Sequence, residues 1–170
     1  NAGVFPSGQQ IEALDAEQWQ KSLNINLTAQ QQLLKNAIPY LKLGVQPAAI
    51  FIATRNVPAP GPGAAAYSVA KAGLTQLARV AALELAQHGV RVNVLHPDCV
   101  YDTGIWNDDV LEARAQRYGM TVEEYKTRSL LKADVSSVEV ARLVCTVAGS
   151  TFAKTTGAQI PIDGGSDRVI

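Results

Sequence analysis

Ala48-Ala49-Ile50-Phe51-Ile52-Ala53 opens the part of the sequence that decides the fold. It is followed by a stretch at 56–63 with three prolines and two glycines, an alanine- and leucine-rich run at 64–88, then Gly89 and Val90-Arg91-Val92-Asn93-Val94-Leu95. A short unbroken apolar run of this kind is expected of a strand covered on both faces. The proline and glycine cluster marks a loop. The run at 64–88 predicts a long helix, with Gly89 where a helix C-cap glycine belongs. The second apolar run is again a strand, ended by His96-Pro97. Strand, helix, strand implies parallel strands with a covering helix. Ligands bind such sheets beyond the carboxyl ends of the strands, so the loops after Ala53 and Leu95 are expected to line a site.

Working outward, Asn1-Ala2-Gly3 reads as the end of a strand already under way, followed by a polar loop at 6–10. Residues 15–41 read as one long helix. Asp15 is its expected N-cap, Gln18 is placed to complete a capping box, and Pro39 is expected to kink or end it. Trp19, Leu23, Asn26, Leu27, Leu33, Leu34, Ala37 and Ile38 recur mostly at helical spacing. Downstream, residues 98–134 are polar and charged, with short helices expected. A helix begins at Ser136 or Ser137 and runs to Ala148. A last strand at 157–162 closes on Asp163-Gly164-Gly165. The expected class is α/β with a parallel sheet.

Composition narrows the partners. The 170 residues are 47% hydrophobic and 18% charged, as in a soluble folded chain. Formal net charge is zero, which removes the basic excess that nucleic acid or an anionic membrane would need. No apolar run reaches the roughly 20 residues of a membrane span, and the first residues do not form a signal peptide. Cys99 and Cys145 lack disulfide-framework or zinc spacing, and His88 and His96 lack metal-ligand spacing, so no metal is expected. Reduced thiols suit a cytoplasmic protein.

The chemistry concentrates in Tyr67-Ser68-Val69-Ala70-Lys71, which puts a phenol and an ammonium four residues apart on one helix face. Taken alone, this pattern more often reflects a tyrosine stacked on a lysine stem. Its place at the start of a helix, after a loop that follows a strand ending in Thr54, raises its weight. A free tyrosine has a pKa of about 10. A nearby ammonium and a helix N-terminus both favour the phenolate. A phenol so tuned can exchange a proton with an alcohol, and Thr54 can hold the substrate oxygen.

At this point the chain resembles the short-chain dehydrogenases/reductases. Asn1-Ala2-Gly3 is similar to the family's Asn-Asn-Ala-Gly motif. Asn24-Ile25-Asn26-Leu27-Thr28 resembles the segment that carries its catalytic asparagine. Ile52-Ala53-Thr54, Tyr67 through Gly73, Arg91 through Pro97 and Thr156 through Gly165 match in order. The resemblance implies the C-terminal part of a doubly wound, parallel-sheet Rossmann fold. It makes Tyr67 the acid/base and gives Lys71 the tuning of that group and the nicotinamide ribose. Thr54 replaces the usual substrate-orienting serine, and Asn26 holds a water in a proton relay. Asn1, Ala2, Gly3, Pro97 and Val100 join Tyr67 and Lys71 along the cofactor, NAD or NADP, with NAD favoured. Two departures stand out: Thr54 adds a methyl group, and Asp98 occupies the place of a usual glycine.

A narrower resemblance involves residues 56–63, 96–98, 101–106 and 153–161. It is to the dehydrogenase part of bacterial bifunctional rhamnulose-1-phosphate aldolase/lactaldehyde dehydrogenases, and it implies oxidation of a small alcohol or hydroxy-aldehyde in sugar catabolism. The Gly-rich pyrophosphate loop that opens such folds is not in the sequence, so residues 1–170 are expected to form one partial Rossmann-type domain that binds NAD(P) poorly by itself. Residues 103–134 are expected to be a substrate lid, in which Trp106, Tyr118, Met120 and Tyr125 offer apolar surface. Arg114, Arg117, Lys126 and Arg128 there either meet an anionic substrate group or form a solvated face. The resemblance also implies a homodimer or tetramer paired through the helices at 15–41 and 64–88. The competing reading is a non-catalytic, dehydrogenase-like scaffold attached to an aldolase; the joint presence of Tyr67 and Lys71 weighs against it.

Overall fold

The computed structural model describes residues 1–5 and 8–165. Pro6 and Ser7 of the expected loop lie outside the described residues.

The central strand explains the rest. Arg91–Pro97 (β2) is buried along its whole length because a neighbour covers each edge and helices cover its faces. Ala48–Ile52 (β1) pairs with it in parallel, from Ala48 opposite Arg91 to Ile52 opposite Leu95. Gln159–Ile162 (β3) pairs along the other edge, from Val94 opposite Gln159 to Pro97 opposite Ile162. The sheet order is β1-β2-β3. The expected parallel α/β arrangement is present, with β2 running two residues further than the apolar run suggested.

The first helical stretch is interrupted. Ala16–Leu23 (α1) passes through a π-helical turn, Asn24–Thr28, into Ala29–Leu41 (α2). A widened turn of this kind commonly marks a functional segment. Asp15 caps α1 by accepting the Glu17 N–H at 2.6 Å. The expected capping box is not formed: Gln18 turns inward, and its Oε1 is buried without a hydrogen-bond partner. Pro39 does not end the helix, which continues to Leu41. A proline so near the C-terminus removes one N–H from the last turns and little else.

Ala65–Leu85 (α3) crosses the sheet between β1 and β2 and continues as a single 3-10 turn to His88. Its Leu74, Ala78, Ala81, Ala82 and Leu85 meet Phe51, Val92 and Val94 of the sheet in the main core. The many alanines let the helix lie close to the strands. Gly89 follows at φ +69°, the left-handed C-cap that glycine adopts without penalty.

Asn1-Ala2-Gly3, expected as the last residues of a strand, and Val4 and Phe5 after them are not paired in the sheet. Side chains from the first helical stretch take their main-chain groups instead. Gln30 Nε2 donates to the Ala2 carbonyl at 2.9 Å, and the Asn26 amide accepts the Val4 N–H at 3.0 Å and donates to its carbonyl at 2.9 Å.

Beyond β2 come Asp108–Arg117 (α4), capped by Asn107, and Val122–Lys126 (α5), capped by Thr121 and Glu124. Ser137–Ala148 (α6) carries a complete capping box from Ser136 and Glu139. Its C-terminus is held by Arg91 of β2, which donates to the carbonyls of Val147 at 2.8 Å, Ala148 at 2.6 Å and Phe152 at 3.1 Å. Asn93 bonds Thr155 and Ala158 on the way to β3. Among the described residues, no helix is long and apolar enough to cross a membrane.

Candidate active site

The carboxyl ends of β1 and β2 open into a cavity of about 420 Å³. The chain leaves β1 through Ala53 and Thr54 while still bonded to β2: Ala53 N–H meets the Leu95 carbonyl and Arg55 N–H the Pro97 carbonyl. This fixes Thr54 at the rim. Its carbonyl meets His96 Nδ1 at 3.0 Å, and its hydroxyl accepts the Asn56 N–H at 3.3 Å. The loop at 56–63 then turns the chain into α3, so that Tyr67 lies in the first turn and Lys71 one turn deeper.

Lys71 is almost fully buried, and its Nζ donates to the Ile52 carbonyl at 2.8 Å. Burial lowers its pKa from 10.5 to about 8. The Nζ lies 5.8 Å from the centre of the Tyr67 ring. Burial also governs Tyr67 and pushes the phenol above its ordinary value, while the Thr54 hydroxyl beside it works in the opposite sense. The sequence argument expected the lysine to pull the phenol down. With the ammonium tied to Ile52 and both groups withdrawn from water, desolvation is the larger influence.

Thr54, Tyr67 and Lys71 line the cavity together with Asn1, Ala2, Gly3, Pro97 and Val100. Asn26 does not. It stands one layer behind, fully buried in the π turn, with its amide committed to Val4 and to Ser22 Oγ at 3.1 Å. Its place is beneath Gly3, where a Cβ would come within 2.9 Å of Asn26 Oδ1.

Arg55 and Phe5 escaped the sequence reading as site residues, and the partners of Asp98 were not foreseen. Arg55, 2% exposed, sets its Nε 3.1 Å from Asp98 Oδ1, and Arg128 approaches Asp98 Oδ2 at 3.8 Å. Asp98, the departure from glycine, therefore faces two arginines. The register held the signal: continuing Ile52 opposite Leu95 by three residues places Arg55 opposite Asp98. Phe5 packs edge-on against Tyr67 with centroids 4.9 Å apart. Cys99 lies next to Asp98, and burial pushes its thiol up to about 11. Trp106, Tyr118 and Tyr125 line the cavity as an aromatic cluster backed by Tyr101, with Arg128 over the Tyr125 ring at 4.6 Å. Among the described residues, no group of three or more His, Cys, Asp or Glu could hold a metal ion.

Comparison with known proteins gives the family. A family model described as enoyl-(acyl carrier protein) reductase matches residues 1–167. The uncharacterized oxidoreductase YuxG of Bacillus subtilis is 31% identical over 97% of this chain and 25% of its own length. The D-beta-hydroxybutyrate dehydrogenase of Rhizobium meliloti is 31% identical over 97% of this chain and 65% of its own. The crystal structure of carveol dehydrogenase from Mycobacterium avium in complex with NAD superposes with a TM-score of 0.87 at 25% identity, covering 98% of this chain and 62% of that one. The chain thus spans from a quarter to about two thirds of the length of these relatives. It belongs to the short-chain dehydrogenase/reductase family of oxidoreductases.

Proposed function

We propose that the protein carrying this chain is an NAD(P)-dependent dehydrogenase that interconverts a small alcohol or hydroxy-aldehyde and its oxidised product, with Tyr67 as acid/base. The observation that carries this reading is the convergence of Thr54, Tyr67 and Lys71 on one cavity with the main chain of residues 1–3.

The walls fit a nicotinamide nucleotide. Gly3 presents bare main chain where a side chain would strike Asn26. Lys71 gives one of its three N–H donors to Ile52, which leaves two for ribose hydroxyls. Pro97 and Val100 offer an apolar flank. The nucleotide, when bound, takes up or returns the hydride. Tyr67 accepts the alcohol proton during oxidation and returns it in reduction. Thr54 steers the substrate oxygen towards the phenol, and Lys71 supplies the positive charge that the phenolate needs once a bound ligand excludes water. Asn26 acts from behind by holding residues 3–4 in place. NAD is the favoured cofactor, as in the carveol dehydrogenase complex.

Residues 103–134 serve as the substrate lid in this reading, with Trp106, Tyr118 and Tyr125 turned to the cavity. The narrower likeness at residues 56–63, 96–98, 101–106 and 153–161 supports a place in sugar catabolism, within a cytoplasmic protein that also bears an aldolase. The Bacillus relative, of which this chain covers only a quarter, is long enough for a further domain. Self-association through α2 and α3 is supported by exposed Leu33 and Tyr40 on the one and Val80 and Leu83 on the other. Such faces serve a dehydrogenase as well as they would serve a scaffold.

The test follows nicotinamide absorbance for the natural chain that contains these residues, with NAD and NADP, against lactaldehyde and small polyols. Turnover that falls by about 10²-fold or more in Tyr67→Phe, with cofactor binding retained, is the expected result. A folded protein that binds no cofactor would overturn the proposal in favour of the scaffold.

A further inference from the structure

The cavity walls are unevenly charged. Lys71, Arg114 and Arg128 line the cavity as cations, against Asp98 as the acidic lining residue. Asp98 is occupied by Arg55 and Arg128, and Lys71 by the Ile52 carbonyl. Arg114 differs. It projects from α4, and no carboxylate among the described residues lies within ion-pair distance of it. Its guanidinium carbon sits 5.5 Å from the Phe5 ring centre, and Phe5 packs against Tyr67. Arg114 lines the cavity beside Tyr118 and Tyr125 rather than pointing away from it, and its positive charge acts on the Tyr125 phenol. Arg117 and Lys126 do not line the cavity. Of the five cations at 103–134, two therefore line the cavity, and of those two Arg114 is the one without a carboxylate among the described residues.

A half-buried guanidinium has lost part of its hydration and keeps a planar fork of donors that matches a carboxylate or phosphate. We infer that the substrate carries an anionic group, carboxylate or phosphate, that Arg114 binds while the reacting carbon sits at Tyr67. The inference rests on the dehydrogenase reading of the site. The Phe5 ring centre lies 5.5 Å from the guanidinium carbon and 4.9 Å from the ring centre of Tyr67, so a charged group at Arg114 and a reacting carbon at Tyr67 fall within the reach of one small molecule, such as a hydroxy acid or a phosphorylated polyol.

The experiment uses the natural chain that contains these residues, with Arg114→Gln and Arg114→Lys. Binding is read as the ligand-dependent change in tryptophan fluorescence that is lost in a Trp106→Phe background, since Trp106 lines the cavity. Turnover is read from nicotinamide absorbance. The probes are 3-hydroxybutyrate beside its methyl ester, and glycerol 3-phosphate beside glycerol. One acid is expected to bind at least about tenfold more tightly than its neutral partner, as hydrogen bonds to a charged group allow; which acid does so separates carboxylate from phosphate. Arg114→Gln is expected to erase that preference and leave the cofactor KM unchanged, and Arg114→Lys to restore part of it. Charge preference that needs Arg114 but comes with no turnover keeps the anion site and overturns the dehydrogenase reading instead. Failure of both acids to bind, a preference that survives Arg114→Gln, or a change confined to the cofactor KM overturns the inference.

Discussion

Replacing Lys71 by methionine gives the sharpest test of the site's electrostatics. Burial lowers this ammonium from 10.5 to about 8, which at ~1.4 kcal/mol per pH unit is a penalty of about 3 kcal/mol on the folded protein at neutral pH. Methionine removes the penalty but also the hydrogen bond to Ile52, worth ~1.5–3 kcal/mol. The two nearly cancel, so the variant is expected within ~1 kcal/mol of wild type at pH 7. The sign then follows from proton binding. Between pH 8 and 10.5 the folded lysine has lost its proton and the unfolded one keeps it, so wild-type stability rises with pH, fully present above 10.5 and lost as pH falls through 8. From pH 7 to 10 wild type is expected to gain about 2.5 kcal/mol relative to the variant. Urea unfolding of both proteins at pH 7, 8, 9 and 10 measures this directly, since groups common to both cancel. Parallel stability curves would refute the account, because they would mean that Lys71 keeps its charge at no expense.

Three further outcomes follow from the same geometry. Gly3→Ala puts a Cβ 2.9 Å from Asn26 Oδ1, an atom already held by Val4; a loss of ~1–3 kcal/mol in stability is expected, with weaker cofactor binding by titration, and unchanged values for both would discount the contact. Asp98→Asn leaves Arg55 buried without a counter-charge and is expected to lose ~3–5 kcal/mol by chemical unfolding, whereas replacing both partners with apolar residues recovers most of it. Cys99, pushed up to about 11, stays a thiol at pH 8, so iodoacetamide is expected to modify exposed Cys145 quickly and Cys99 slowly, as peptide mass spectrometry would record.

The sheet and its main helix were legible because their signals are local. Apolar runs at 48–53 and 90–95 and the cap glycine at 89 need no distant partner to be read. The π turn was not legible: it coincides with the bond that Asn26 makes across 22 residues to Val4, which no local pattern announces. Gln18 was misread because a local capping pattern does not reveal that the side chain turns inward, where its Oε1 is buried. Tyr67, Lys71 and Thr54 were readable from their positions at the ends of elements. Arg55 and Asp98 required the strand register. Arg114 required the orientation of α4, which a polar helix with few buried residues does not reveal by periodicity.

The ends of the segment between β2 and α6 lie side by side. Val100 bridges Val135, and Asp102 takes both the N–H and the hydroxyl of Ser137 at the start of α6. Arg91 and Asn93 then fasten the far end of α6 and the approach to β3 directly to β2. Nearer α6, Arg128 meets Asp98, and the Leu130 and Leu131 N–H groups bond the Gly165 and Gly164 carbonyls, so the frame is closed from Arg128 onward. Closing a loop of twice the length costs only ~0.6 kcal/mol more, so the stretch between Thr103 and Thr127 can change in length while the phenol, the ammonium and the sheet keep their places, and one wall of the cavity can be rebuilt in a single recombination.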